Sequence, residues 1–234
     1  MGRLLSFLSE NKWRYLLQRS RIRVRKGGAL KAASGSRVAC SRIFVEGDSS
    51  LTIGKNAVID HCTIYVKGNV TIGDNTLLEG GEYTIEGGEL EVGHHCRLSA
   101  QRIWIRFQGK ARIGDYTNIN RGSEVRCDES VTIGSYCQIS YNVRIWDTNA
   151  HNIYPAAKRR EMAERHWPYF GRETERPKTS PVKIGDDCWI GERAAILKGT
   201  TLASEVNVGF GTLLSGQSIE KGKTVVNDQE IKII

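Results

Sequence analysis

Residues 182–215 read Val182-Lys183-Ile184-Gly185-Asp186-Asp187-Cys188-Trp189-Ile190-Gly191-Glu192-Arg193-Ala194-Ala195-Ile196-Leu197-Lys198-Gly199-Thr200-Thr201-Leu202-Ala203-Ser204-Glu205-Val206-Asn207-Val208-Gly209-Phe210-Gly211-Thr212-Leu213-Leu214-Ser215. An aliphatic residue returns at every sixth position: Ile184, Ile190, Ile196, Leu202, Val208 and Leu214. A small residue follows four places after each, beginning Cys188, Ala194, Thr200, Val206 and Thr212. A period of six fits neither the 3.6 of a helix nor the 2 of an alternating strand. It fits a short strand, a bend and another short strand.

The same pattern extends backwards. Thr52-Ile53-Gly54, Thr71-Ile72-Gly73, Glu91-Val92-Gly93, Arg112-Ile113-Gly114, Thr132-Ile133-Gly134 and Lys183-Ile184-Gly185 repeat at steps of 19, 20, 21, 20 and 51 residues. The long last step is one repeat with an insertion of about 31 residues. Hexad partners such as Ile53/Ile59, Ile72/Leu78, Val92/Leu98, Ile113/Ile119/Val125 and Ile133/Ile139/Ile145 lie inside each step. Of the 18 positions four residues after these aliphatics, 14 are Ala, Ser, Thr, Cys or Val, so the inward site is small. Three hexads close a triangular coil of about 18 residues, and two more form a corner loop. Stacked coils pair as parallel strands about 4.8 Å apart. Each buries its apolar side only against its neighbours, which makes the fold an all-β solenoid.

The predicted organisation follows. Residues 1–28 form a basic helical arm with Leu4, Leu5, Leu8, Trp13, Leu16 and Leu17 on its apolar side. Residues 29–234 form the solenoid domain, with 29–50 as a degenerate first coil and 151–181 as an inserted loop containing one short helix around 156–165.

Charge is unevenly placed. The net charge of the 234-residue chain is +8, yet residues 1–37 alone account for +9 and the remainder for −1. A neutral body argues against nucleic-acid binding, which spreads basic charge over a folded face. A basic arm with leucines suits an anionic membrane surface, and a cap on the first coil is the competing reading. No apolar run approaches the roughly 20 residues of a membrane span. The short Leu4–Leu8 run is no secretory signal core. The chain is therefore expected in the cytoplasm, with its arm able to touch the inner face of the membrane.

Of six cysteines, Cys96, Cys137 and Cys188 fall on the small inward site, as free buried thiols would. Cys40, Cys62 and Cys127 follow no pattern. Neither a phosphate-binding loop nor a dinucleotide fingerprint is present.

The hexads over residues 38–219 resemble those of the hexapeptide-repeat acyltransferases, whose fold is a left-handed parallel β-helix. The stretch Pro181-Val182-Lys183-Ile184-Gly185-Asp186-Asp187-Cys188-Trp189-Ile190-Gly191 is similar to the "P-V-x-I-G-x-x-x-W-I-G" of their sugar O-acetyltransferases. Asp147-Thr148-Asn149-Ala150-His151, at the mouth of the insertion, is similar to the "D-x-x-x-H" of the surface-polysaccharide type. The resemblance implies a homotrimer with acetyl-CoA in the groove between subunits, a sugar or glycan acceptor and no metal. It implies His151 as general base, Trp189 lining the thioester channel, and Gly191, Gly209, Phe210, Gly211 and Ser215 along the CoA. It places Asn118 at the acceptor hydroxyl. The "T-K-D" that relatives carry near the end reads Leu214-Ser215-Gly216-Gln217 here, so Lys198, Lys221 or Lys223 would have to bind the CoA phosphates. The zinc-binding H-x4-H of carbonic anhydrases on this fold does not occur.

The chemistry suits these residues. Acyl transfer from a thioester to a hydroxyl needs a base, a stabiliser for the oxyanion and close approach of both reactants. An imidazole titrating near 6.5 is a competent base at neutral pH. Asp147 could orient it, or could cap the loop instead. Arg159 and Arg160 belong to an insertion with seven basic and four acidic side chains, which would attract an anionic acceptor. Three functions fit: O-acetylation of a sugar in surface polysaccharide or lipopolysaccharide assembly, N-acylation of an amino sugar or small amine, and a non-catalytic scaffold.

Overall fold

The computed structural model describes residues 17–168 and 175–228. Within them the chain winds through about ten coils of a parallel β-solenoid. Each full coil gives one short strand to each of three faces. The first face is a ten-stranded parallel sheet that starts at Leu17–Gln18 and runs in chain order through Asn118–Ile119, Gln138–Ile139, Trp189–Ile190 and Asn207–Val208 to Thr224–Val225. The second runs from Arg21–Val24 to Leu213–Ser215 and the third from Ala29–Ala32 to Ser218–Ile219. In the third to fifth coils the second and third faces are single bent strands, Thr63–Ile72, Glu82–Val92 and Arg102–Ile113.

All 18 hexad aliphatics point inward, and none is more than 4 % exposed. Burying each contributes about 1.5–3 kcal/mol, so the stacked columns are the core. The small inward sites also satisfy corner carbonyls. Thr76 Oγ1 donates to Gly93 O at 2.7 Å, Thr117 Oγ1 to Gly134 O at 2.8 Å, and the thiols of Cys96 and Cys137 to Gly114 O at 3.0 Å and Gly185 O at 3.1 Å. The position requires a small side chain, filled without a donor by Ala57, Val143, Ala194 and Val206, and where that side chain is Thr76, Thr117, Cys96 or Cys137 its donor serves the corner.

The hexad frame slips at one corner. In the second to fifth coils the inward residues that open the second face are Ile43, Ile64, Tyr83 and Ile103. From one inward residue to the next this corner is one residue shorter, five positions from Leu98 to Ile103 against six from Ile119 to Val125. This explains why Glu82 and Arg102 break the small-residue rule. It also places Cys62, 2 % exposed, at an inward site that the regular frame missed, while Cys127, 0 % exposed, points inward two residues after Val125. At the same corner Gly81, with φ +82°, has no room for a side chain, since a Cβ would stand 2.0 Å from Ala100 O.

One boundary moves. Strands at Leu17–Gln18 and Arg21–Val24, paired with Arg37–Ala39 and Arg42–Val45, begin the solenoid well before residue 29. Arg19, Arg21, Arg23, Arg25 and Lys26, assigned above to a helical arm, therefore belong to the first coil. The helix expected from residue 1, with Leu4, Leu5, Leu8, Trp13 and Leu16, lies outside the described residues. At the other end the coils continue past 219 to Thr224–Val225. Among the described residues no helix is long and apolar enough to cross a membrane.

Candidate functional site

The insertion leaves the second face after Arg144–Trp146 and rejoins the third at Val182–Ile184. Its neck is an antiparallel pair. Asn149 N donates to Lys178 O at 3.0 Å, Ser180 N donates to Asp147 O at 2.9 Å, and Thr148 bridges Thr179. Helix α1 (Ala156–His166) lies beyond it with no buried residue, so Arg159 and Arg160 are fully available to solvent. His151 is exposed, two residues past the Asn149 pairing, and its N–H donates to Asn149 O at 2.7 Å.

Asp147 stands two residues after buried Ile145, in the inward column that holds Cys127 one coil earlier, and it is 0 % exposed. Its Oδ1 accepts from Asp128 N at 2.8 Å, and its Oδ2 accepts from Glu129 N and Ser130 N at 2.7 Å each. Burial pushes its carboxyl above the usual range, and the three amides only partly pull it back. The corner of residues 128–130 takes both of its oxygens. Of the two roles open to Asp147, its inward position and these three amides support the corner cap.

The first face brings other candidates together. Its register places Arg97, Asn118, Gln138, Trp189 and Asn207 in one outward column. Asn118 and Trp189, chosen from distant parts of the sequence, are thus two coil steps apart, about 10 Å at the ordinary strand spacing. Gln138 between them and Asn207 beyond were missed. The signal was present, since each immediately precedes an inward aliphatic residue.

Trp189 is 47 % and Phe210 64 % exposed, and the Arg193 guanidinium lies 5.6 Å from the Phe210 ring. Both aromatics and the exposed Tyr141 border the same end of the first face. Gly191 has a structural reason to be glycine, since a Cβ there would meet Gly209 C and Phe210 N at 2.8 Å. Gly209 is closed off by Val226, and Gly211 takes φ +65° in an open turn. Ser215 is exposed at the end of the second-face strand, and its amide donates to Gln217. Lys221 is already paired with Glu205 at 2.9 Å, while Lys223 is exposed in the turn before Thr224–Val225. Lys198 is half-buried on the far side of the second-face strand Ala195–Leu197.

His61, His94 and His95 have local roles. His94 Nδ1 accepts from Asp74 N at 2.9 Å, one rung of a corner ladder in which Asp115 and Asp186 cap the preceding coil likewise. His95 stacks on Tyr116 at 4.7 Å, and Tyr116 on Tyr136 at 5.1 Å. Cys40, Asp60 and His61 bring potential ligand atoms within 4.8 Å of one another. Within this trio His61 Nδ1 is 2.9 Å from Asp60 Oδ1. A notch of about 570 Å³ beside this trio, floored by Gly80 and Gly81, contains none of the expected site residues.

The arrangement therefore falls into two groups. Asn118, Gln138, Trp189, Asn207 and Phe210 occupy the first face and its edge. His151, Arg159 and Arg160 project from the corner between the second and third faces, which is opposite the first.

No protein-family model matches the chain. It is 32 % identical over 149 residues to the Escherichia coli protein WbbJ, described as a lipopolysaccharide biosynthesis O-acetyl transferase; the match covers 63 % of this chain and 69 % of that one. It is 23 % identical over 165 residues to a Mycobacterium tuberculosis protein described as an acetyltransferase, covering 68 % of this chain but only 46 % of that one. The chain thus spans about half the length of the latter. The crystal structure of the polySia specific acetyltransferase NeuO has the same fold, with a TM-score of 0.54 at 16 % identity, over 92 % of this chain and 84 % of that one.

Proposed function

The chain belongs to the hexapeptide-repeat acyltransferases, and from that premise we propose that it transfers an acetyl group from acetyl-CoA to a sugar hydroxyl in the assembly of a surface polysaccharide or lipopolysaccharide. The β-helix winds left-handed in this reading. The observation that supports it most is the division of the candidate site between the first face and the opposite corner. One copy keeps His151 away from the Asn118–Trp189 column, whereas a neighbouring copy can present its corner to that face. The active unit is then a homotrimer with three equivalent grooves.

In each groove the acetyl-CoA thioester lies along Trp189 and Phe210, whose exposed rings offer apolar area to the pantetheine arm. Asn118 and Gln138 supply hydrogen bonds to the acceptor. The His151 imidazole takes the acceptor hydroxyl proton as the oxygen attacks the thioester carbonyl. The tetrahedral intermediate collapses, and the imidazolium returns its proton to the leaving CoA thiolate. Acetyl-CoA supplies the activated acyl group. Lys223 and Lys198 are the nearer choices for the CoA phosphates, because Lys221 is engaged with Glu205. Exposed Arg159 and Arg160 favour an acceptor that carries carboxylate or phosphate.

The test incubates the full chain with acetyl-CoA and maltose, galactose, polysialic acid or glucosamine. Thioester absorbance is followed, and products are identified by mass. Acetyl ester on a sugar is expected. Amide on glucosamine alone would replace this reading with N-acylation. No transfer, together with no calorimetric binding of CoA, would leave a scaffold.

A further inference from the structure

We propose that Arg106 is a positioning residue for His151, acting through the carbonyl of Ala150. The inference rests on the reading of His151 as base. Arg106 comes from the strand Arg102–Ile113, two coils before the insertion, and it is 5 % exposed. Its Nε donates to Asp128 Oδ1 at 2.9 Å and its Nη2 to Asp128 Oδ2 at 2.7 Å. Nη2 also donates to Ala150 O at 3.3 Å. The rings of Trp104 and Phe107 lie 4.5 and 5.1 Å from the guanidinium carbon and hold it in place.

Ala150 immediately precedes His151, and both of its backbone polar groups are engaged. Its N–H donates to Thr148 Oγ1 at 3.1 Å, and its φ of 64° turns the chain out of the neck. Asp128 is fixed from the other side, where its N–H donates to Asp147 at 2.8 Å. Arg106, Asp128, Asp147 and Ala150 thus form one connected set across three coils.

Stability alone does not account for this pair. Desolvating two charges offsets their attraction, and apolar residues of similar volume commonly serve a core as well. An apolar pair could not offer a rigid, charged fork to a carbonyl one residue before the base. The geometric return is large, since a misplacement of about 1 Å at a reacting group can cost on the order of 10²-fold in rate.

The test uses the full-length chain, acetyl-CoA and whichever acceptor of the four above accepts the acetyl group, with polysialic acid as the default. Arg106→Met combined with Asp128→Leu is compared with His151→Ala and with the unaltered protein. The double variant is expected to keep its melting temperature and its KM for acetyl-CoA within about twofold, while kcat falls about 10–100-fold. Should the double variant melt early, Arg106→Ala takes its place, and added guanidinium ion is expected to restore kcat. Wild-type kcat in the double variant, with kcat lost in His151→Ala, overturns this proposal alone; failure of guanidinium to restore Arg106→Ala does the same. Wild-type kcat in His151→Ala overturns the base reading and this proposal with it.

Discussion

Asp147 caps Glu129 across one coil step, its Oδ2 accepting the Glu129 N–H at 2.7 Å. The neighbouring amides of Asp128 and Ser130 converge on the same carboxylate. Asp147→Asn keeps the shape but offers one acceptor oxygen to three donors. It is expected to cost about 1–3 kcal/mol, read as a fall of several degrees in Tm. Any loss of kcat should follow from loosening of the neck. A kcat loss of 100-fold or more with an unchanged Tm would favour the orienting role for Asp147.

His151→Ala removes an exposed side chain, so its Tm is expected to stay within about 1 °C of the unaltered protein. General bases contribute about 10²–10⁴ in rate, and kcat should fall by that factor with CoA affinity intact. Residual kcat above a tenth of the starting value would exclude the role.

Trp189 and Ile190 are adjacent and face opposite ways, 47 % and 0 % exposed. Trp189→Ala should raise the Kd for acetyl-CoA with little change in Tm. Ile190→Ala should instead cost about 2–5 kcal/mol of stability by leaving a cavity. Calorimetry and thermal melts on the two variants separate the faces. Equal effects on Tm would refute the assignment of Trp189 to a ligand surface.

Glu124 lies among Arg102, Arg126 and Arg144 at 2.7, 2.8 and 3.8 Å. Burial would raise its carboxyl, but hydrogen bonds from Arg126 and Arg102 outweigh burial and hold it below the ordinary value. A depressed carboxylate contributes stability that is present above its unfolded pKa of about 4.3. That stability is lost as pH falls through the lower folded value. Glu124→Gln should therefore melt below the unaltered protein at pH 7, with the gap closing towards pH 3. A gap independent of pH would refute the electrostatic origin.

Cys40 is exposed and the other five cysteines are buried. Burial drives the Cys62 thiol to about 12 and holds Cys127 and Cys96 above their ordinary value. A thiol-reactive probe should label one site per native chain, and Cys40→Ser should abolish it. Labelling of two or more sites in the folded Cys40→Ser protein would contradict the inward placement of the rest.

The period of six by itself determined the solenoid and its 18 inward hexad aliphatics. Each coil repeats one local solution, so a core column is legible wherever an aliphatic residue returns on schedule. Trp189, Phe210 and Asn118 were proposed from short motifs, and register places Asn118 and Trp189 in one outward column. The first coil begins near Leu17 because Arg21–Val24 pairs with Arg42–Val45, and the alternation Arg21-Ile22-Arg23-Val24-Arg25 is a strand signal that the helical reading passed over. Two things required the tertiary structure. Asp147 caps a corner because inward register, invisible in a D-x-x-x-H string, points it at residues 128–130. Arg106 reaches Ala150 across 44 residues of sequence, and only the stacking of coils brings them together. A solenoid writes its core locally, but its sites are built between coils, and in the proposed trimer between chains.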